Sequence, residues 1–141
     1  MIRHVLHSVR EMESLGEAFG QALAPGCVVG LSGDLGSGKT AFVRGLARGV
    51  GSGSRVHSPT FALLHEYEGG RCPVHHLDLY RLAGAAEVRA AGLEDYLVRP
   101  RGITAVEWVE RWEEPLPGMK RLRFRWIDDG TREVMDDMPG A

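Results

Sequence analysis

Val9, Met12, Leu15, Phe19 and Leu23 recur every three or four positions, so this stretch predicts an amphipathic helix with one apolar stripe. Ser8-Val9-Arg10-Glu11 at its start has the spacing of a capping box, and Pro25-Gly26 ends it. The pattern then changes. Residues 27–31 form a short apolar run of strand length, glycine-rich sequence follows at once, and residues 41–50 read as a second helix. Together these make a strand, loop and helix unit.

Gly51-Ser52-Gly53-Ser54 reads as a connector, and Ser58-Pro59-Thr60 as an extended entry into a strand over residues 61–67. Glu68-Gly69-Gly70-Arg71 closes a hairpin that returns through residues 74–79. Two short helices follow at 85–91 and 94–97, and then an apolar strand at 103–106. Residues 121–127 and 132–135 predict a second hairpin, turning at Asp128-Asp129-Gly130. In its first strand Arg121, Arg123 and Arg125 alternate with Leu122, Phe124 and Trp126, so the two sets take opposite faces. The expectation is a solvated edge that discourages aggregation, with contact to a partner or RNA as the functional alternative.

A chain of 141 residues, 43% hydrophobic and 26% charged, has the size of one globular domain with one modest core, which predicts a single domain over residues 1–141. Its net charge of −2 offers no overall attraction for nucleic acid, which argues against tight RNA binding by the chain alone. Arg3, His4, His7 and Arg10 crowd the first ten residues, and no nearby apolar run suits a signal peptide or membrane span; the expectation is a soluble cytoplasmic protein without membrane contact. Cys27 and Cys72 lack the CxxC spacing of zinc or redox sites and read as reduced structural thiols.

Gly33-Asp34-Leu35-Gly36-Ser37-Gly38-Lys39-Thr40 matches G-x-x-x-x-G-K-[ST], and it stands between an apolar strand and a helix, where a phosphate cradle requires it. Its glycines let the backbone approach phosphates with N–H groups pointing inward, while the following helix presents its positive end. Lys39 reaches the β- and γ-phosphates, and Thr40 offers its hydroxyl to Mg²⁺. Of the seventeen basic residues only Lys39 and Lys120 are lysines. A compact ammonium at position 39 is therefore a pointed choice in an arginine-rich chain.

Such a site also needs a carboxylate at the end of another strand. Val74-His75-His76-Leu77-Asp78 and Ile103-Thr104-Ala105-Val106-Glu107 both end in one. Either acid could equally cap a helix or face solvent. His76 and Asp78 share a strand face, but two ligands are too few to specify a metal.

The loop, then Ser58-Pro59-Thr60-Phe61, then His76-Leu77-Asp78-Leu79-Tyr80-Arg81 and finally Glu107-Trp108 appear in an order and spacing that resembles the TsaE (YjeE) family over roughly residues 8–132. The resemblance implies an α/β P-loop fold, a mixed β-sheet flanked by helices. It further implies ATP and Mg²⁺ as cofactors, ATP hydrolysis in support of tRNA threonylcarbamoyladenosine modification, and TsaB and TsaD as partners, with tRNA reached through the complex. Carried onto this chain, it makes Asp34, Leu35, Gly36, Ser37, Gly38 and Lys39 the nucleotide loop and Thr40 and Glu107 the Mg²⁺ ligands. Asp78 becomes the second functional acid, Thr60 a switch-like threonine near the γ-phosphate, and Trp108 and Arg132 flanking nucleotide contacts. Two rivals stay open: a small-molecule kinase, with Arg99-Pro100-Arg101 as a fragment of its lid, and a nucleotide switch that binds without hydrolysing.

Overall fold

The computed structural model describes residues 1–53 and 63–137. The chain starts with strand β1 (Ile2–Leu6), which alternation does not reveal because only Leu6 in it is buried. Helix α1 (Val9–Ala22) follows with Ser8 as its cap, the Oγ accepting the Glu11 N–H at 3.0 Å. Glu11 Oε1 accepts the N–H of His7 at 2.9 Å, so the predicted box closes one residue further back. Strand β2 (Val28–Gly33) leads through the glycine-rich loop into α2 (Lys39–Val50).

Strands β3 (Leu64–Tyr67) and β4 (Val74–Asp78) form the expected hairpin, of which residues 61–62 lie outside the described residues. Short helices α3 (Ala85–Ala90) and α4 (Glu94–Val98) precede β5 (Ile103–Glu107). A single 3-10 turn (Val109–Arg111) then leads to the last hairpin, β6 (Lys120–Asp128) and β7 (Thr131–Asp136).

These strands make one mixed sheet in the order β1-β7-β6-β2-β5-β4-β3. Strands β6, β2, β5 and β4 run parallel, while β7 and β1 on one side and β3 on the other are antiparallel additions. One face carries α1 and α2, packed on Val29, Leu31, Leu122, Phe124 and Val134. The opposite face carries α3, α4 and the 3-10 turn, packed on Val28, Leu77, Leu79 and Val106. No residue of β6, β7 or β1 contributes to this second core.

Three expectations change. Strand β6 is interior, between β7 and β2, so its arginines are not an edge device. Trp126 is 45% exposed although Leu122 and Phe124 on its face are buried, because the strand runs past the helices toward the hairpin tip, where the Arg132 guanidinium covers the ring at 5.6 Å. Val9 is exposed too.

The α1–α2 contact explains Val9. A Cβ added at Gly16 would lie 2.0 Å from the Phe42 carbonyl oxygen, at Gly20 2.2 Å from that of Leu46, at Gly45 1.9 Å from that of Glu13, and at Gly49 2.2 Å from that of Glu17. The two backbones touch through glycines on both helices, and the register advances together along both. Val9 therefore lies level with the loop before α2 begins. Glu13 pairs with Arg44 at 2.8 Å and Glu17 with Arg48 at 3.0 Å along the flank, and Arg44 holds the Glu13 carboxyl below its ordinary value.

Gly45→Ala separates this packing from local preference by sign. Helix propensity alone would stabilise the protein by about 1 kcal/mol. Because the new methyl would collide with backbone, the expected result is destabilisation by about 1–3 kcal/mol, read as a lowered midpoint in urea.

Candidate functional site

Parallel pairing sets the site. Asp78 is registered against Glu107 across β4 and β5, and Glu107 against Leu31 across β5 and β2, two residues before the loop begins. Both acids thus end their strands beside Gly33, at the carboxyl edge where ligands gather in α/β sheets.

The loop glycines have separable reasons. Gly33, with φ 142°, packs so closely on β6 that a Cβ would sit 2.2 Å from the Phe124 carbonyl oxygen. Gly38, with φ 105°, caps α2, and a Cβ there would meet Met12 Cε of α1 at 2.7 Å. Gly36, with φ 78°, would meet nothing within 4 Å. Backbone packing therefore demands glycine at position 33 and the left-handed φ favours it at position 38, while the apex stays open to an approaching group.

Asp34, Leu35 and Gly36 are exposed, and Leu35 wholly so. Ser37 is fully buried and its Oγ has no hydrogen-bond partner, although its N–H bonds the Asp34 carbonyl at 3.1 Å. The first intrahelical bond of α2 runs from Phe42 N–H to Gly38 O at 3.0 Å. The amides of Lys39, Thr40 and Ala41 consequently have no acceptor within the helix, as at any helix start.

Lys39 is not a freely exposed side chain, since only 10% of it is accessible. Its Nζ donates to the Gly33 carbonyl at 2.6 Å and lies 3.9 Å from Glu107 Oε1. Thr40 follows it, half-buried, in the same first turn. Glu107 is buried, and its Oε2 lies 2.8 Å from Nε2 of the fully buried His76. His76 therefore contacts Glu107, not Asp78, and orients that carboxylate. Asp78 is half-buried, and its Oδ1 accepts the Tyr80 N–H at 3.0 Å. Burial pushes its carboxyl above the ordinary value, opposed by that N–H, reinforced by Glu107 and opposed again by His76 and Lys39.

Trp108 leaves β5 with φ 60° and ψ 43°, and it alone among the described non-glycine residues has positive φ. A bulky residue in that region marks local strain of about 1–3 kcal/mol. Its ring meets Tyr80 at 5.0 Å and the Arg111 guanidinium at 5.2 Å, which holds it beside Glu107. Arg132 reaches from β7 to the loop, its Nε donating to the Gly36 carbonyl at 3.0 Å and its Nη1 to the Asp128 carbonyl at 2.6 Å. In this arrangement it fastens the loop apex to the β6–β7 turn.

The fold thus brings Lys39, Thr40, Asp78, Glu107 and Trp108 to one edge, with Arg132 clasping the loop from the other side. Thr60 lies outside the described residues. Sequence reasoning did not find the Gly33 carbonyl as the lysine's anchor, since residue type carries no signal for a carbonyl contact. Nor did it find Tyr80 as the partner of both Asp78 and Trp108. Its place in the Asp78-Leu79-Tyr80 run was the available signal. Arg99 and Arg101 precede β5, at the amino end of the sheet and opposite to the loop, and Arg99 pairs with Asp95.

Comparison with known proteins agrees with this geometry. Residues 6–134 match the family described as threonylcarbamoyl adenosine biosynthesis protein TsaE. The chain is 41% identical over 125 residues to the tRNA threonylcarbamoyladenosine biosynthesis protein TsaE of Nostoc sp., covering 86% of this chain and 76% of that one. It is 38% identical over 134 residues to the TsaE of Treponema pallidum, covering 94% and 98%. Its fold matches the crystal structure of Bacillus subtilis YdiB with a TM-score of 0.76 at 29% identity, over 96% of this chain and 83% of that one. The chain belongs to the TsaE family.

Proposed function

We infer that this chain is an ATPase that binds ATP with Mg²⁺ on the Gly33–Thr40 loop and hydrolyses it in support of tRNA threonylcarbamoyladenosine modification, in the cytoplasm and in complex with TsaB and TsaD homologues. The observation that carries the reading is the convergence of Lys39, Asp78 and Glu107 at one sheet edge, with the ammonium 3.9 Å from Glu107. The buried, unpartnered Ser37 Oγ and the open space at Gly36 fit a cradle that takes phosphate oxygens.

Thr40 and Glu107 offer hard oxygen donors beside the loop. That donor set suits Mg²⁺, which takes one or two protein ligands and completes its octahedron with phosphate and water. Thr40 and Glu107 are the residues that would hold it, with His76 fixing the Glu107 carboxylate. The ion supplies neutralisation of the charge that develops across the β- and γ-phosphates.

Lys39 would exchange the Gly33 carbonyl, which its Nζ meets at 2.6 Å, for phosphate oxygens. Asp78, whose burial disfavours its charged form, would orient the attacking water from the neighbouring strand end. Trp108, strained and stacked, would wall the site, and Arg132 would hold the loop apex. The kinase alternative loses support, because the arginines offered as its lid stand at the opposite edge of the sheet. Among the described residues no helix is long and apolar enough to cross a membrane.

Lys39→Ala is expected to weaken ATP and ADP binding by about 10–100-fold, the worth of a charge-assisted contact, with the melting transition retained. Isothermal calorimetry checks it, and undiminished affinity in a folded variant rejects the phosphate assignment.

Glu107→Ala should raise the magnesium concentration needed for binding or turnover, whereas Asp78→Ala should lower the hydrolysis rate while leaving ADP affinity near that of the parent. ATPase rates across a magnesium titration distinguish the two, and parental behaviour in both would refute the site.

Alone, the chain should hydrolyse ATP slowly, and TsaB and TsaD homologues should raise the rate about tenfold or more by completing the transition-state electrostatics. A steady-state assay with and without the purified partners and tRNA provides the check. A fast rate that no partner changes would contradict the coupling.

A further inference from the structure

Strands β6, β7 and β1 are covered by α1 and α2 on one face only. Parallel strands usually have both faces covered, yet α3, α4 and the 3-10 turn stop at β2 and leave one face of β6 bare, together with the antiparallel β7 and β1 beside it. On the bare side, cross-strand register builds two short rows. Arg3, Met135 and Arg123 form one and continue to Ser32 of β2, while Val5, Glu133 and Arg125 form the other.

All of these residues but Val5 line an open groove of about 620 Å³ that also includes Gly33 and Asp34 of the loop. Glu133, only 5% exposed, lies beneath and pairs with both Arg3 and Arg125, whose side chains are 60% and 67% exposed. Arg123 pairs with Asp137 at 3.0 Å at the margin. Each guanidinium has five donors, and these pairings occupy few of them. All three side chains are half exposed or more, so the acids hold them without burying them.

We propose that this uncovered face is the docking surface for an acidic protein, whose carboxylates bridge Arg3, Arg123 and Arg125 while Val5 and Met135 receive apolar side chains. Arginine and methionine are enriched at protein interfaces, and lysine, absent from the two rows, is depleted there. RNA fits less well: Val5 and Met135 offer apolar surface that a phosphate backbone does not use, and the net charge of −2 gives nucleic acid no overall attraction. Arg123 and Arg125 belong to the interior strand β6, so protection of an edge explains at most Arg3 of the edge strand β1. An occupant would abut Ser32, Gly33 and Asp34, giving it direct access to the phosphate loop.

This assignment rests on the complex described above, and the test separates the two. Wild-type chain and the variant Arg123→Gln/Arg125→Gln are titrated against the TsaB and TsaD homologues, with ADP affinity and melting measured on both. Because glutamine removes charge without adding repulsion at Glu133, the variant should keep its fold and its ADP affinity. It is expected to bind the partners about tenfold more weakly or worse, and to lose their stimulation of turnover. Equal partner binding by a folded variant overturns the surface while leaving the complex standing. Wild-type chain that binds neither partner overturns both. Direct tRNA binding by the wild-type chain, lost in the variant, overturns the protein occupant in favour of RNA.

Discussion

Parallel pairing of β2, β5 and β4 in a single register is the constraint from which the site follows. Strand-end residues meet only if their strands stop at the same level, and the ladder that joins Asp78 to Glu107 and Glu107 to Leu31 imposes that level. Backbone hydrogen bonds thus do what no side chain in the site does alone. They set two carboxylates and an ammonium within reach, beside a loop whose apex at Gly36 is open. A slip of one residue in β5 would turn Glu107 to the other face and put Trp108 in its place.

The loop is braced from three directions. Met12 of α1 packs where a side chain at Gly38 would stand, the Phe124 carbonyl presses on Gly33, and Arg132 holds the Gly36 carbonyl. The first brace depends on the glycine contact between α1 and α2, because only helices in backbone contact bring Met12 that close. The chain thereby links helix packing, which is stability, to loop conformation, which is chemistry. The apex itself, with Leu35 and Gly36 exposed, is left free to accept a ligand.

Helix coverage is uneven. Two helices pack along one face of the sheet, but the short α3 and α4 cover only β4, β5 and β2 on the other. The segments that could have covered β6, β7 and β1 are absent from the described residues, and arginines with a buried carboxylate stand there instead. The charged groove and the phosphate loop share Gly33 and Asp34.

The sequence alone determined the loop, its lysine, the two candidate acids and nearly every element, because hydrophobic period and glycine placement are local signals. The Ser8 cap, both helices of the first half and both hairpins were legible on those grounds. Strand β1 was not, since its ladder to β7 joins residues more than a hundred positions apart and its side chains are mostly exposed. The glycines of α1 and α2 look like weak helix formers until the second helix is in place. Only the tertiary structure decided that β6 is interior, that His76 serves Glu107 and that Lys39 rests on Gly33. Each depends on which strands become neighbours, and strand order is a long-range property that no window of local sequence contains.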